Sequence, residues 1–368
     1  VFVFAVALGL LGCRQVPLSE NVFVSGSLDP LQAYAVYRIP VLSRTRFGTL
    51  LAFAEARKSI GDQSSNVLVL RRKVRRSRSW SNQEVVAHDD MASLNNPCVL
   101  ATNRLIWLMY QRYPAGLNER TTSFGFDPEK TCRSFVISSV DDGKTWSSPV
   151  ELTSTIKRRE TRSLASGPGI GIELKRGAHA GRLLFPFNEG ANGIYDAFAV
   201  YSDDNGRTWH RGMEAPKPSQ LQPNETQFVE LSDGDVMLNA RNQASDHHRL
   251  ESVSHDGGET WDTVRPIPDL VDPVCMGSIV RVSFDPNLMA FSNPADARRR
   301  VNGTVRLSSD DGKSWTILRE VTDATSSFEY SCLCPLSSSQ MGLIYETREV
   351  LPSGTEGYRI RYMTLALK

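Results

Sequence analysis

Ser139-Val140-Asp141-Asp142-Gly143-Lys144-Thr145-Trp146 is one of four copies of a turn pattern, Ser-x-Asp-x-Gly-x-Thr/Ser-Trp. The others run from Ser202, Ser254 and Ser308 to Trp209, Trp261 and Trp315. A β-prone run precedes each: Phe135-Val136-Ile137, Phe198 to Tyr201, Leu250 to Val253, and Val305 to Leu307. The Asp can accept hydrogen bonds from nearby amides, the Gly can take a positive φ, and the Trp brings a large apolar face to the next strand. The pattern reads as a hairpin cap used once per sheet, so these residues build the fold and leave chemistry to others. The tryptophans stand 63, 52 and 54 residues apart, the spacing of a propeller or solenoid repeat.

A fifth, degraded copy lies upstream. Lys73 to Trp80 follows the apolar run Val67 to Leu70, with Arg75 and Ser77 where Asp and Gly stand elsewhere. Its basic run Arg71, Arg72, Lys73, Arg75, Arg76, Arg78 has the composition of a nucleic-acid patch, but its place in the repeat makes it a solvated hairpin tip. A formal net charge of +1 over 368 residues gives no case for a nucleic-acid partner. Further strand-like runs, Leu105 to Tyr110, Arg182 to Phe185, Asp235 to Leu238, Gly342 to Tyr345 and Tyr358 to Tyr362, are separated by Gly, Pro, Asn and Asp. Five capped units plus the terminal strands predict an all-β, six-bladed β-propeller with about four strands per blade. Its sixth blade is closed by joining early and late strands, which removes a free sheet edge.

The propeller is expected over 16–368, after a signal-type apolar segment at 1–15. Val1 to Leu11 is uncharged and too short for the ~17–25 residues of a membrane-spanning helix. It reads as the core of a secretory signal, or Leu10-Leu11-Gly12-Cys13 as a bacterial lipoprotein site with Cys13 lipidated. Both place the protein outside the cytosol. The cysteines beyond this segment, Cys98, Cys132, Cys275, Cys332 and Cys334, form no CxxC pair; this argues against a zinc site and leaves room for one or two disulfides. His247-His248 has no metal-ligand spacing, and Gly167-Pro168-Gly169-Ile170-Gly171 opens no helix and so does not read as a phosphate loop.

Three arginines lie where a bland surface role fits poorly. Arg38 sits in a strand expected to end at Pro40, Arg241 at the end of another in Asn239-Ala240-Arg241-Asn242-Gln243, and Arg298-Arg299-Arg300 follows Phe291-Ser292-Asn293-Pro294. A propeller converges its inner strands on one pocket, so three arginines from three blades can meet there. Their planar forks suit a carboxylate or sulfate.

With these segments in view, the chain resembles the exo-α-sialidase (neuraminidase) family, whose Asp-boxes the caps match. Tyr37-Arg38-Ile39-Pro40 resembles that family's first arginine motif, Asn239 to Gln243 its second, and Arg300 to Arg306 its third, over about residues 35 to 365. Gly48 to Lys58, Leu270 to Val274 and Phe291 to Ala295 look most like the animal lysosomal subgroup. The resemblance implies a carboxylate-binding triad of Arg38, Arg241 and Arg300, with Arg57 also lining the pocket. It implies Asp62 as acid/base, Tyr330 as nucleophile and Glu225 as the base that activates it. The expected reaction is hydrolysis of terminal sialic acid from glycoproteins, oligosaccharides or gangliosides with retention, without metal or cofactor. A lysosomal member would use a protective protein partner. Two other readings compete: a non-catalytic Asp-box propeller that binds glycans or proteins, and a trans-sialidase. Asn224-Glu225-Thr226 and Asn302-Gly303-Thr304 are glycan-acceptor sequences. With Glu225 assigned to the pocket, Asn224 is expected to stay bare and Asn302 to be the modified one in a eukaryotic host.

Overall fold

Each hairpin cap joins the third strand of an antiparallel sheet to the fourth, and six such sheets make up the molecule. The computed structural model describes residues 19–26, 34–244, 246–350 and 356–367. The apolar segment at 1–15, Cys13 included, lies outside the described residues.

Blade 1 consists of Val36–Arg44, Leu50–Arg57, Val67–Lys73 and Glu84–Ala87, from the inner strand outward. Blade 2 contains Ala92–Ala101, Ile106–Pro114, Arg133–Ser139 and Val150–Glu151. Blade 3 contains Ser163–Ser166, Leu183–Ala191, Ile194–Ser202 and His210–Arg211. Blade 4 is Pro223–Glu230, Val236–Asn242, His248–Ser254 and Arg265–Val271; blade 5 is Ser278–Phe284, Asn287–Pro294, Gly303–Ser308 and Thr316–Glu320. Blade 6 takes Ser331–Ser337, Gln340–Val350 and Glu356–Ala366 from the end of the chain. Its outer strand, Glu20–Val24, comes from the beginning and pairs antiparallel with Glu356–Ala366. The ring closes as expected, and the fold is a six-bladed β-propeller. Thr153–Ile156 is the one helix among the described residues.

The caps work as their composition dictates. In the copy at Ser139, the Ser139 hydroxyl accepts from the Gly143 amide at 3.0 Å, and Asp141 accepts from the Thr145 amide at 2.9 Å and the Thr145 hydroxyl at 2.6 Å. The cap glycine is also where neighbouring blades touch. A Cβ on Gly206, whose φ is +78°, would lie 2.4 Å from the Trp107 ring of blade 2. Trp209 packs edge-on against Trp107 and Phe185, with ring centroids 5.8 and 5.6 Å away. The tryptophans stand ahead of the fourth strands instead of starting them, and Trp209 and Trp261 are buried while Trp146 and Trp315 are half-buried. The degraded copy keeps part of the turn. Arg76 has φ 70°, matching Asp142, Asn205, Gly257 and Asp311, but Ser77 does not take the positive φ of the cap glycines.

One feature near the axis differs from expectation. Pro40 does not end its strand; Val36–Arg44 runs through it with a bulge between Arg38 and Val41, and Ile39 sits at φ 60°. An inner strand has a free edge toward the axis, so it can hold a residue that lacks an N–H. Ala92–Ala101 bulges likewise between Asn95 and Cys98, and Pro223–Glu230 between Pro223 and Thr226. A bulge re-aims the side chains beside it. These three turn Arg38, Asn95 and Glu225 toward the same end of the axis. The Gly167 to Gly171 segment threads between inner strands: Gly169–Ile170 pairs parallel with Cys98 and Val99, and a Cβ on Gly169 would collide with the Gln227 amide. Cys98, Cys132, Cys275, Cys332 and Cys334 are all buried free thiols, so no disulfide forms among the described residues.

Candidate active site

At the end of the axis opposite the caps lies a cavity of about 320 Å³, lined almost wholly by polar side chains. Arg38, Arg57, Asp62, Glu225, Arg241, Arg300 and Tyr330 all line it. Arg38 comes from the inner strand of blade 1, Arg241 from the second strand of blade 4, and Arg300 from the loop between the second and third strands of blade 5. Only the first of the three arginines is therefore on an inner strand. Of the run at 298–300, Arg298 and Arg299 are exposed, and Arg299 pairs with Asp296 at 3.4 Å, which leaves Arg300 as the pocket residue.

Tyr330, just ahead of the inner strand of blade 6, is the centre of the cavity floor. Its hydroxyl donates to Glu225 Oε1 and accepts from Arg241 Nη1 at 3.1 Å. Glu225 Oε2 lies 2.7 Å from the same guanidinium. Arg38 and Arg300 flank the ring, their guanidinium carbons 5.5 and 5.6 Å from its centroid. Burial pushes the Tyr330 pKa well above the ordinary phenol value, and the Glu225 charge adds to this against the pull of Arg241 and Arg300. At rest the phenol is protonated, and it donates its hydrogen bond to Glu225.

The arginines are held by acidic groups that the sequence reading missed. Glu346, fully buried on blade 6, accepts from Arg38 Nε at 2.9 Å and from the Ile39 amide at 2.6 Å. Glu329, beside Tyr330, pairs with Arg38 at 3.4 Å, Arg300 at 3.2 Å and Arg348 at 3.1 Å. Burial alone would weaken the Arg38 charge; Glu346 and Glu329 outweigh it and raise its pKa well above the usual value. An acidic residue next to the nucleophile candidate, Glu329-Tyr330 in an otherwise uncharged stretch, was the available signal for one of them. Nothing local marked Glu346, whose partner lies across the closure of the ring.

Asp62 stands on the loop between the second and third strands of blade 1, with its side chain 74% exposed toward the cavity mouth. Arg57 Nη1 holds its carboxylate at 2.8 Å, while Arg57 Nε and Nη2 bind Glu55 at 2.8 and 2.6 Å. The Asp62 carbonyl accepts from the Asn66 and Asn95 amides at 2.5 and 2.6 Å, and both amides also reach Glu55. Glu55 is thus the buried hub of this loop; burial raises its pKa, opposed by Arg57. Glu119, on the long loop within blade 2, lines the same cavity. Asn224 is buried, and its Oδ1 accepts from Arg241 Nη2 at 2.7 Å and the Glu225 amide at 2.8 Å, so its side chain is committed to the site.

This constellation can grip a small anion with fixed cations, supply an aromatic hydroxyl beside a carboxylate, and offer a second, wetter carboxylate at the mouth. The comparisons with known proteins agree with the architecture. The BNR repeat-like domain family matches residues 48–343. A sialidase of Micromonospora viridifaciens is 32% identical over 359 residues, covering 92% of this chain and 54% of the relative. The chain thus spans about half the length of that protein. Sialidase-2 of Rattus norvegicus is 29% identical over 353 residues, covering 86% of this chain and 90% of the relative. Among solved structures, the NanB sialidase of Streptococcus pneumoniae superposes with a TM-score of 0.80 at 17% identity, covering 95% of this chain and 70% of that one, a likeness of fold. With repeat, ring closure and family match all in agreement, the chain belongs to the BNR repeat-like domain family and carries the six-bladed propeller of the sialidases.

Proposed function

We propose that the protein is an exo-α-sialidase that releases terminal sialic acid from glycoconjugates with retention, through a covalent intermediate on Tyr330. The observation that carries this reading is the Tyr330 hydroxyl held between Glu225 and Arg241 inside a ring of three arginines. A sugar with a carboxylate on its anomeric carbon repels an anionic attacker, so a neutral phenol activated as it attacks is the fitting nucleophile. Arg38, Arg241 and Arg300 bind that carboxylate and fix the ring.

In the first step the Tyr330 oxygen bonds to the anomeric carbon, its proton passes to Glu225, and the glycosidic bond breaks as Asp62 protonates the leaving oxygen. In the second, Asp62 takes a proton from water, whose oxygen displaces Tyr330, and Glu225 returns the phenol proton. Two displacements give retention. Similar identities to a bacterial and a mammalian sialidase support the family without selecting the animal lysosomal subgroup that Gly48 to Lys58 suggests.

Incubation with a fluorinated sialoside, which slows the second step, is expected to leave a covalent adduct that peptide mass mapping places on Tyr330. An adduct on Asp62 or Glu225 overturns the mechanism. Failure of the protein to release a fluorogenic leaving group from any sialoside at pH 4 to 7 overturns the function and favours a binding propeller.

A further inference from the structure

Arg300 is the most exposed of the three arginines, its side chain 33% accessible, against 10% for Arg38 and 13% for Arg241. It also stands on a loop where the other two stand on strands. Its direction therefore depends on what it binds. Nη1 meets Glu329 at 3.2 Å, and Nη2 donates to the backbone carbonyl of Val274 at 3.0 Å. Val274 is at φ 61°, a left-handed conformation that a β-branched residue avoids. Something outside the residue must hold it there.

The holder is a buried cluster between blades 4 and 5. Asp272, 1% exposed, bridges the turn: its Oδ1 accepts from the Cys275 amide at 2.8 Å, across Pro273 and Val274. Its Oδ2 lies 3.3 Å from Nη1 of Arg249, which is fully buried. The same Nη1 donates to the Cys275 carbonyl at 2.7 Å, so Arg249 grips both ends of the turn. Arg249 Nε is itself held by Asn239 at 2.9 Å, two residues before Arg241 on the same strand. From blade 5, the Asn293 amide donates to the Val271 carbonyl at 2.8 Å, and Arg306 donates to the Asn293 oxygen at 3.1 Å. The Asp272 amide donates to the His247 carbonyl at 2.8 Å. A turn with one strained residue is thus pinned on both sides, and what it presents to the cavity is a carbonyl aimed at a guanidinium.

We infer that Asp272 and Arg249 are positioning residues for substrate binding: together they fix the Val274 carbonyl that orients Arg300 in the cavity. Neither lines the cavity, and both act through that one carbonyl. The inference rests on the sialidase reading, in which Arg300 binds the substrate carboxylate. A pair that merely tied two blades together would have no need to force Val274 out of its preferred conformation.

A double-mutant cycle separates the two roles. Asp272→Ala, Arg300→Ala and the double variant are compared with the wild type for sialoside hydrolysis and for affinity toward an unsaturated sialic-acid analogue. Asp272→Ala is expected to lower kcat/KM by roughly 10–100-fold, mostly through KM, with a matching loss of analogue affinity, because a misplaced anchoring group costs about that much. In the Arg300→Ala background the same change is expected to cost less than about threefold, since its target is gone. Equal fold-losses in both backgrounds overturn the inference. If Asp272→Ala does not accumulate as folded protein, Asp272→Asn takes its place; it keeps an acceptor for the Cys275 amide and removes the charge from Arg249, and the same comparison decides. A wild type that neither hydrolyses sialosides nor binds the analogue would instead sink the functional reading itself.

Discussion

The two ends of this propeller handle charge in opposite ways. At the capped end, Asp141, Asp204, Asp256 and Asp310 each accept hydrogen bonds from their own turn, from groups no more than four residues away. At the pocket end, partners come from distant parts of the chain: Arg38 meets Glu346 across 308 residues, and Tyr330 meets Glu225 across 105. The capped carboxylates sit in water, where the Thr145 hydroxyl and amide pull Asp141 down to about 2 and Ser314 does the same for Asp310. A depressed pKa stabilises above the unfolded value of about 3.9 and is lost only as pH falls through the folded one, so these caps survive mild acid. At the pocket, Arg38 is buried and needs Glu346 of blade 6, and the buried Tyr330 needs Glu225 and Arg241 of blade 4. Change at the capped end should therefore be felt as lost stability, and change at the pocket as lost activity.

The largest effect should therefore follow from removing one oxygen at the pocket. Tyr330→Phe keeps the ring between Arg38 and Arg300, so far-UV circular dichroism and melting temperature should change little. Under the proposed reaction kcat should fall at least about 10³-fold, because the covalent step loses its nucleophile. A Tyr330→Phe enzyme of wild-type kcat and unchanged stereochemistry would place the chemistry elsewhere.

The next comparison lies within one arginine run. Arg300→Lys loses the fork that spans Glu329, Val274 and the substrate, at roughly 2–4 kcal/mol, or ~30- to 1,000-fold in kcat/KM. Arg299→Lys, at an exposed residue paired with Asp296, should leave kcat/KM within about twofold, as surface pairs contribute little. Steady-state kinetics on the two variants checks both, and the reverse order would move the third arginine of the triad.

The same division explains what could be read from the sequence. The caps are legible because the hydrogen bonds of the repeated Ser, Asp and Thr or Ser side chains close within one turn, and the glycine and tryptophan positions recur with them. Six blades follow from counting caps and adding the termini. The seven pocket candidates were recognisable by resemblance to family motifs, but the acids that hold them were not. Glu346 serves Arg38 only because the ring closes with blade 6 beside blade 1, and no spacing encodes that. Glu55 was passed over because it looks like one more alternating residue of a strand; its role depends on Asn66 and Asn95, which come from a loop and from the next blade. The strand expected to end at Pro40 runs on for a related reason: whether a strand tolerates a proline depends on which of its edges is free, and that is a property of the assembled ring.

At the capped end the expected losses are of stability, and they should scale with burial. Trp209 is buried against two aromatic rings, so Trp209→Ala should cost about 3–5 kcal/mol, seen as a lower denaturation midpoint at nearly unchanged kcat in the folded fraction. Trp315, half-buried against Phe291, should cost less. A folded Trp209→Ala protein with abolished turnover would break the separation of the two ends.

The smallest effect tests how local the capped end is. His255, next to the third cap's Ser254, has its side chain 64% exposed, with Nδ1 2.5 Å from Asp235 and Nε2 3.3 Å from Asp262. The hydrogen bond to Asp235 is the main reason its pKa is raised, slight burial working against it. A raised pKa means that the folded state holds the proton more tightly than the unfolded chain does. The stabilisation is fully present below the unfolded value of about 6.5 and is lost as pH rises through the folded value. His255→Gln should accordingly lower the melting temperature at pH 5.5 and leave it nearly unchanged at pH 9. Because the pair is exposed, 1 M salt should shrink the difference at pH 5.5. A deficit that grows with pH, or that ignores salt, would mean that His255 is tied into the fold by something other than these two solvent-screened carboxylates.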